Sequence, residues 1–401
     1  MKYIQRTSYL QRLEGLIGTP DFKIITGIRR CGKSFLMTEF MNLLIEKRKN
    51  VNIIFIDLQD LDNEELKDYR KLHSYIKDSI RQDRENFLFI DEVQMCPSFE
   101  LAINSIHSKN IADIYLTGSN AFLLSSDLAT LFTGRFIEIR IFPFSFREYL
   151  EYWESDNNVE DMLDSYLIKG SLPGSFPYTQ EVDRIAYIRD VYETIVTRDL
   201  VQKYGIGDVE SLRHLSEYLM DNIANIFSPN KIGEILRQTI PTANHVTIGR
   251  YCDFLCRAFM FYEVTRYDIK GKKYLETSSK FYLCDTGMRY ALLGARNLDY
   301  GRAYESIVCI ELLRRGYDVY IGKLYQKEVD FVALMGSEKI YIQVSDDISE
   351  RSTVEREVTP LLQIRDAYPK YLLARTRHPR YSIEGVQVLN LSDWLSGKEK
   401  F

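Results

Sequence analysis

The sequence predicts an α/β protein that begins with a doubly wound parallel sheet. Residues 22–34 read Phe-Lys-Ile-Ile-Thr-Gly-Ile-Arg-Arg-Cys-Gly-Lys-Ser, so a short apolar run is followed by Gly-x4-Gly-Lys-Ser and then by a helical pattern. Strand-like and helical segments alternate as far as residue 144. This alternation is typical of parallel strands joined by helices.

The pattern Gly-x4-Gly-Lys-Ser is typical of a loop that binds phosphate groups. Gly27 opens a tight turn, and Gly32 lets backbone N–H groups approach an anion. The Lys33 ammonium is suited to the β- and γ-phosphates, and the Ser34 hydroxyl to Mg²⁺. The helix predicted over 35–46 directs its positive end at the same anion. We therefore expect ATP and Mg²⁺ to bind at Gly27, Ile28, Arg29, Arg30, Cys31, Gly32, Lys33 and Ser34.

A second strand-like run ends in two carboxylates. Residues 86–93 read Asn-Phe-Leu-Phe-Ile-Asp-Glu-Val, in which a buried strand delivers acidic side chains to its C-terminal edge. Asp91 is expected to hold the Mg²⁺ shell through water, and Glu92 to orient the attacking water. Without the phosphate loop, an acidic strand end that faces solvent would be the better interpretation.

The next two strand-like runs carry candidate catalytic residues of lower specificity. The run 111–119 precedes Asn120, so Ser119 or Asn120 is a candidate γ-phosphate sensor, and a helix cap is an equal alternative. Arg135 precedes a fifth strand over 136–144. Its guanidinium suits phosphoryl charge in its own subunit or in a neighbouring one, and an ordinary surface arginine is the alternative.

Composition limits the class of protein. The chain has 401 residues, which is too long for one core, with 45% hydrophobic and 27% charged residues. It contains no apolar run near the roughly 20 residues of a membrane span and no signal-peptide pattern, so we expect a cytoplasmic protein that does not enter the membrane. The six cysteines are scattered, which predicts reduced thiols and no structural metal. The net charge of −5 means that any nucleic-acid contact must be local.

The middle of the chain predicts two further domains. The first domain is predicted over residues 1–144. Residues 145–207 have apolar helical stripes that predict a helical lid or connector. Residues 208–285 predict a winged helix, with helices over 209–226, 231–238 and 246–258 and a basic hairpin of strands 259–267 and 273–275. Packing beside the first domain is one role for such a module, and DNA contact is the other. The candidate DNA contacts are Thr242, Asn244, His245, Thr247, Arg250, Arg257, Lys270, Lys272 and Lys273.

Residues 286–401 predict an α/β domain with an acidic cluster. Glu305 on a helix, Asp330 on a strand and Gln343 on the following strand resemble the metal site of restriction-endonuclease-like folds. Gln343 replaces a carboxylate and Ser345 replaces the lysine of that pattern. We therefore expect a degenerate domain kept for binding, with an active nuclease as the alternative. Lys327 or Lys339 could supply the missing cation.

Most of the chain resembles a large prokaryotic family of AAA-domain ATPases in which a domain of unknown function follows the ATPase. The matching segments are Thr26–Ser34, Ile90–Gln94, Leu116–Ser119, Gly134–Arg135, Pro143–Tyr149, Lys280–Gly287 and Glu328–Phe331. The resemblance implies ATP binding with hydrolysis, a winged-helix middle and a restriction-endonuclease-like tail that often lacks a full active site. A looser resemblance, based on fold, connects the chain with signal-transducing ATPases that use nucleotide as a switch.

These observations predict a Mg²⁺-dependent ATPase that uses nucleotide state to reposition its winged helix and tail on a macromolecular partner. The alternatives are a nucleotide-gated DNA nuclease and a non-hydrolysing ATP-binding adaptor. An oligomer is compatible with either position of Arg135. The absence of an Asn-Lys-x-Asp guanine-binding motif favours ATP over GTP.

Overall fold

The computed structural model of the protein describes residues 3–118, 132, 135–154, 158–228, 233, 244–294 and 299–401. The chain divides into two units, which we call the N-terminal unit (Ile4–Ile141) and the C-terminal unit (mainly Phe142–Phe401). Among the described helices, none combines the length and the apolar character needed to cross a membrane. All six cysteines are free thiols.

A parallel sheet, here called the N-terminal sheet, forms the centre of the N-terminal unit. Its described strands lie in the order β2-β3-β4-β1-β5, and every neighbouring pair is parallel. The predicted parallel sheet is thus confirmed. The strand bounds are β1 (Phe22–Thr26), β2 (Val51–Asp57), β3 (Glu85–Asp91), β4 (Asp113–Thr117) and β5 (Phe136–Arg140).

Helices cover both faces of the N-terminal sheet. They are α1 (Thr7–Gly15), α2 (Lys33–Lys47), α3 (Tyr69–Ser79) and α4 (Phe99–His107), with short 3-10 turns at Leu61–Lys67 and Val93–Met95. Helices α3 and α4 share one buried cluster with Ile24 of β1 and Leu116 of β4. On the other face, the Phe40 ring of α2 lies 5.2 Å from the ring of Tyr115. Alternate residues of a strand point to opposite faces, so the apolar β1 and β4 bury both faces.

A larger mixed sheet, here called the C-terminal sheet, organises the C-terminal unit. Its described strands lie in the order β13-β14-β12-β11-β10-β9-β7-β8-β6. The bounds are β6 (Ile226–Phe227), β7 (Phe261–Asp268), β8 (Lys273–Leu283), β9 (Asp318–Leu324), β10 (Lys327–Met335), β11 (Glu338–Ser345), β12 (Lys370–Ala374), β13 (Tyr381–Ile383) and β14 (Val386–Asn390).

Most described helices of the C-terminal unit begin at a residue whose side chain caps the helix. Helix α5, the first of them, starts with a capping box in which the Ser145 hydroxyl accepts the Glu148 N–H and the Glu148 carboxylate accepts the Ser145 N–H. The bounds are α5 (Phe146–Trp153), α6 (Val159–Lys169), α7 (Glu181–Thr194), α8 (Val209–Asp221), α9 (His245–Arg257), α10 (Thr286–Leu293), α11 (Tyr300–Arg314), α12 (Arg351–Leu362) and α13 (Leu391–Ser396), with a 3-10 turn at Pro173–Ser175 and a π-helical segment at Ile195–Gln202.

The predicted winged helix differs from the structure in its hairpin. The second strand runs to Leu283 rather than to residue 275, because β8 continues to pair with β7 as far as Phe261. Strand β7 also pairs with β9, so one sheet crosses the predicted boundary at residue 285. The predicted helix 231–238 and Thr242 lie outside the described residues, apart from residue 233. The division into four domains stays a prediction.

Candidate functional site

The predicted phosphate loop joins β1 to α2 at the C-terminal edge of the N-terminal sheet. Arg30 (φ 66°) and Gly32 (φ 99°) have left-handed backbone conformations, and α2 starts directly after Gly32. Ile28 and Cys31 are buried, Arg29 is half-buried, and Arg30 and Ser34 are exposed. The loop therefore presents its backbone and the Ser34 hydroxyl at the start of a helix, where the helix dipole favours an anion.

Gly27 cannot be replaced by a larger residue without a change in this loop. Its φ is 147°, and a Cβ atom built on it would lie 2.2 Å from the carbonyl oxygen of Ile141. The N–H of Ile141 in turn donates to the Thr26 carbonyl at 2.8 Å. The residue after β5 is therefore hydrogen-bonded to the last residue of β1 and packed against the first residue of the loop.

Lys33 and Arg6 both donate hydrogen bonds to backbone carbonyls of the loop. The buried Lys33 ammonium donates to the carbonyl of Gly27 at 2.9 Å and to that of Ile28 at 3.3 Å. The guanidinium of Arg6, 2% exposed, donates to the Cys31 carbonyl at 3.2 Å. Burial raises the pKa of the Cys31 thiol, so this cysteine is a packed thiol rather than a reactive thiolate. Arg6 lies 25 residues from Cys31 along the chain, so no local sequence pattern indicates its contact with the loop.

Asp91 and Glu92 follow β3 at the same edge of the sheet. Strand β4 lies between β1 and β3, so Asp91 is two strand spacings, about 10 Å, from the end of β1. Asp91 is 5% exposed and accepts a hydrogen bond from the Thr117 hydroxyl at the end of β4. The carboxylate pair and the phosphate loop therefore lie on one edge, at a distance that a phosphate and its metal ion can bridge.

Thr117 also lies at this edge of the sheet and is not among the predicted site residues. Its hydroxyl donates to Asp91 and also accepts the N–H of Glu92 at 3.1 Å. Glu92 has a left-handed backbone (φ 53°), which is strained for a residue other than glycine, and its carboxylate accepts from the Gln94 amide. Thr117 and Gln94 thus orient the two carboxylates. In the sequence, the only indication of a role for Thr117 is its place at the polar end of β4.

Arg135 lies at the N-terminal ends of the strands of the N-terminal sheet, whereas the phosphate loop lies at their C-terminal ends. Phe22 pairs with Phe136 and Thr26 with Arg140, so Arg135 is roughly 15 Å from the loop along β5. It is exposed, and its backbone pairs with Phe22. The structure does not bring Arg135 to the loop of its own chain, whereas a role in a neighbouring subunit stays a prediction. Ser119 and Asn120 lie outside the described residues.

A cavity of about 710 Å³ also lies at the N-terminal ends of these strands. It is lined by Thr19, Arg48, Arg84, His107 and Asp113 among others, and it contains no residue of the phosphate loop. Arg48 is paired with Glu85 in an ion pair, and Lys23 lies 2.5 Å from Asp113. Since the loop, Asp91 and Glu92 are at the other edge, the cavity is separate from the candidate nucleotide site.

In the C-terminal unit, the structure brings Asp330 and Gln343 together. The Asp330 N–H donates to Gln343 Oε1 at 3.2 Å, and Asp330 Oδ2 accepts from the Val344 N–H at 2.8 Å. The Gln343 amide donates to the Glu357 carboxylate at 2.9 Å. Burial raises the pKa of Asp330 well above its usual range, and the nearby Glu305 raises it further. In the described part of the chain, no group of three or more His, Cys, Asp or Glu side chains is placed to hold a metal ion.

Lys280 of β8 is the cation of this cluster. Its ammonium lies 2.9 Å from Glu305 Oε1 and 2.7 Å from Glu328 Oε1, and Lys280 is 4% exposed. Burial alone would lower the pKa of Lys280, but the carboxylates of Glu305, Asp330 and Glu328 outweigh it and raise this pKa. Neither Lys327, which is exposed, nor Lys339, which pairs with Asp366 at 3.4 Å, has a contact with the cluster. A protein ammonium therefore sits among carboxylates that would otherwise attract a metal ion.

The predicted DNA contacts on α9 differ in their availability. Asn244 caps this helix by accepting the Thr247 N–H at 2.9 Å, and Arg257 is paired with Asp253 at 2.6 Å. His245 and Arg250 are exposed. On the hairpin, Lys270, Lys272 and Lys273 are all exposed. The hairpin lysines are thus more available to a ligand than Arg257.

Family models match two parts of the chain. One, described as an AAA domain, matches residues 19–150, which contain the phosphate loop, Asp91, Glu92 and Thr117. The other, described as a domain of unknown function (DUF8612), matches residues 160–299. The fold, the loop and the match together define an AAA-type P-loop nucleotide-binding domain.

Whole-length relatives show the family. An uncharacterized protein of Haemophilus influenzae is 35% identical over 398 residues, covering 98% of each chain. The chain therefore belongs to the same family as this protein. Two uncharacterized proteins of Methanocaldococcus jannaschii are 26% identical over 357 residues (84% of this chain and 77% of theirs) and 23% identical over 363 residues (80% and 74%).

Similarity to solved structures is low. AMPPCP-bound DnaA from Aquifex aeolicus matches with a TM-score of 0.30 and 14% identity, covering 65% of this chain and 87% of that chain. A chain of Drosophila ORC bound to DNA matches with a TM-score of 0.26 and 11% identity, covering 68% and 94%. These scores are too low to support an argument about function, so the assignment of the family depends on the sequence relatives.

Proposed function

We propose that the protein is a Mg²⁺-dependent ATPase whose nucleotide state changes how the C-terminal unit engages a macromolecular partner. The observation that carries the proposal is the common edge of the N-terminal sheet, where the phosphate loop, Asp91, Glu92 and Thr117 lie. The AAA-domain match over the same residues supports nucleotide binding.

Each residue at this edge has a separate role in hydrolysis. The backbone N–H groups of the loop and the Lys33 ammonium bind the β- and γ-phosphates. Bound Mg²⁺ would neutralise charge on those phosphates, and Ser34 and, through water, Asp91 would hold it. Glu92 orients the attacking water, because phosphoryl transfer depends on positioning and electrostatics rather than on covalent help from the protein. Thr117 keeps Asp91 in place and fixes the backbone of Glu92.

For the C-terminal unit we propose binding rather than cleavage. The residues Glu305, Asp330 and Gln343 fit a divalent cation poorly, because Lys280 already compensates the carboxylates and Gln343 is a neutral amide. The charged groups of this cluster satisfy one another, as in a structural ion-pair network. This arrangement favours a degenerate domain over the nucleotide-gated nuclease.

The test separates binding from turnover in two variants. Lys33→Ala should lose ATP binding, because it removes the cation of the loop, whereas Glu92→Gln should bind ATP but hydrolyse it at least about a hundredfold more slowly. ATP affinity is measured by calorimetry and turnover by phosphate release. The matched control is Lys49→Ala, an exposed lysine beyond the end of α2, which should change neither quantity.

Two results would contradict the proposal. Equal ATP affinity in Lys33→Ala and in the parent protein would refute the assignment of the loop. Phosphate release at the rate of the protein-free background, despite measurable ATP binding, would favour a non-hydrolysing adaptor.

A further inference from the structure

The ends of two neighbouring hairpins in the C-terminal sheet bring lysines and tyrosines together. Strands β7 and β9 are parallel, with Asp268 opposite Lys323, so the β7–β8 and β9–β10 turns lie side by side. The Ile269 N–H donates to the Lys323 carbonyl at 3.0 Å and fixes this arrangement. We call the surface formed by the two turns the hairpin patch. Its lysines are Lys270, Lys272, Lys273, Lys323 and Lys327.

The lysines of the hairpin patch form no ion pair within the described part of the chain, and they outnumber the carboxylates beside them. Two carboxylates on the same strands offset part of the positive charge, since Asp268 lies opposite Lys273 and Lys323 and Glu328 lies opposite Lys323. Asp268 accepts the Gly271 N–H at 3.0 Å, and Glu328 is paired with Lys280 at 2.7 Å. Further along the sheet, Asp366 lies 3.4 Å from Lys339 and 3.9 Å from Lys370. A locally positive surface therefore exists on a protein whose net charge is −5.

Two tyrosines of the hairpin patch expose most of their surface. Tyr325 is 61% exposed, and the Lys270 ammonium lies 4.7 Å from its ring centroid. Tyr274 is 58% exposed, and its ring lies 4.9 Å from that of Tyr320. Tyr325 also has a left-handed backbone (φ 56°), which is strained for a bulky residue and turns this side chain out at the tip of its hairpin. The Tyr274 ring also lies 5.5 Å from the ring of Tyr267, so neighbouring side chains hold both Tyr274 and Tyr325 while more than half of each stays exposed.

We propose that the hairpin patch binds single-stranded nucleic acid, with the backbone phosphates on the lysines and unpaired bases stacked on Tyr274 and Tyr325. Lysine charge together with exposed aromatic rings is the combination that such ligands require. A duplex hides its bases, and an acidic polypeptide would neutralise the lysines without using the rings. This inference rests on the proposed function, since it names the chemistry of the macromolecular partner.

The experiment uses the full-length protein and fluorescein-labelled oligo-dT and oligo-rU of about 20 nucleotides, long enough for one binding site. Anisotropy gives the dissociation constant as a function of salt, and the two oligonucleotides distinguish DNA from RNA. We expect Lys270→Ala/Lys272→Ala/Lys273→Ala to weaken binding and to reduce the slope of log K against log salt by about 2, because each phosphate contact contributes about 0.7.

The tyrosines are tested separately from the charge. Tyr274→Ala/Tyr325→Ala should weaken binding at least about tenfold with an unchanged salt slope, because stacking releases no counterions. The matched controls are Lys49→Ala/Lys77→Ala/Lys109→Ala and Tyr75→Ala, all exposed residues of the N-terminal unit. Both should bind within about twofold of the parent protein.

The outcomes separate this inference from the proposed function. Absence of oligonucleotide binding by a protein that hydrolyses ATP would overturn the inference alone. Oligonucleotide binding by a protein that never hydrolyses ATP would overturn the proposed function alone. Equal competition by duplex DNA or by poly-glutamate, or full affinity in the tyrosine variant, would also overturn the inference.

Discussion

At the scale of single residues, hydrogen bonds around one hydroxyl decide how the acidic strand end is arranged. Thr117 donates to Asp91 and accepts from the Glu92 backbone, so one side chain connects both carboxylates. A hydrogen bond to a charged group contributes about 1.5–3 kcal/mol, and removal of the donor leaves a buried carboxylate oxygen unsatisfied. Thr117 is therefore expected to act as a positioning residue.

Thr117→Val is expected to lower kcat for ATP hydrolysis by about ten- to a hundredfold, because it keeps the shape of the side chain and removes only the hydroxyl. The measurement is steady-state phosphate release as a function of both ATP and Mg²⁺. Thr117→Ser, which retains the hydroxyl, is the matched control and should stay within about threefold. A valine variant with the kcat of the parent protein would show that Asp91 needs no such support.

The same scale explains which site residues the sequence could predict. Gly27, Gly32, Lys33 and Ser34 form one contiguous motif, so their spacing alone indicates a phosphate loop. Arg6 and Lys280 each act on residues 25 positions away. Such contacts depend on how helices pack and on the order of strands in a sheet, and neither is visible in the spacing of residues. The roles of the loop residues, Asp91 and Glu92 stay predictions.

At the scale of elements, the buried cluster of Lys280, Glu305 and Glu328 joins β8, α11 and β10. The Tyr282 hydroxyl also donates to Glu305 at 2.7 Å, so two groups of β8 contact one carboxylate of α11. Removing one partner of a buried ion pair is costly because the other charge remains without compensation. This cluster should therefore contribute to the cohesion of the C-terminal unit rather than to catalysis.

Lys280→Met is expected to lower the free energy of unfolding of the C-terminal unit by about 3–5 kcal/mol. Both tryptophans, Trp153 and Trp394, lie in this unit, so urea unfolding followed by tryptophan fluorescence reports on it. The control is Lys280→Met/Glu305→Gln, which removes the opposing charge together with the lysine and should recover part of the loss. A double variant as unstable as the single one would contradict the ion-pair interpretation.

The element scale also shows where sequence patterns were insufficient. The alternation of strands and helices predicted the parallel N-terminal sheet correctly, because the central strands β1, β3 and β4 are mainly apolar and buried. The end of β8 was missed: residues 276–280 read Glu-Thr-Ser-Ser-Lys, a polar stretch that resembles a loop. The ladder with β7, and the pairing of β7 with β9, carry the strand to Leu283.

At the scale of the whole molecule, Arg375 holds distant parts of the C-terminal unit together. Its guanidinium donates to both carboxylate oxygens of Asp164 on α6, at 2.9 and 3.2 Å, and to the Tyr304 hydroxyl on α11 at 2.9 Å. It also donates to Glu160 at 3.3 Å. More than 200 residues separate Asp164 from Arg375 along the chain, so this contact joins an early and a late segment of the C-terminal unit.

Arg375→Ala is expected to destabilise the C-terminal unit by about 2 kcal/mol, since the pair with Asp164 is bidentate but partly exposed. Arg375→Lys keeps the charge without the planar fork of donors and should recover less than half of the loss. Tryptophan fluorescence in urea measures both variants. If Arg375→Lys were as stable as the parent protein, charge alone would explain the contact.

The close approach of Ile141 to Gly27 has a mechanical consequence. The Ile141 carbonyl lies against Gly27 at the start of the phosphate loop, and Ile141 is also the last residue of the N-terminal unit. A shift of the loop backbone at Gly27 would therefore press on the carbonyl of Ile141, where the chain leaves this unit. Because Gly27 has no side chain to separate the two segments, the backbone of the loop and that of Ile141 lie close together, and we expect them to move together.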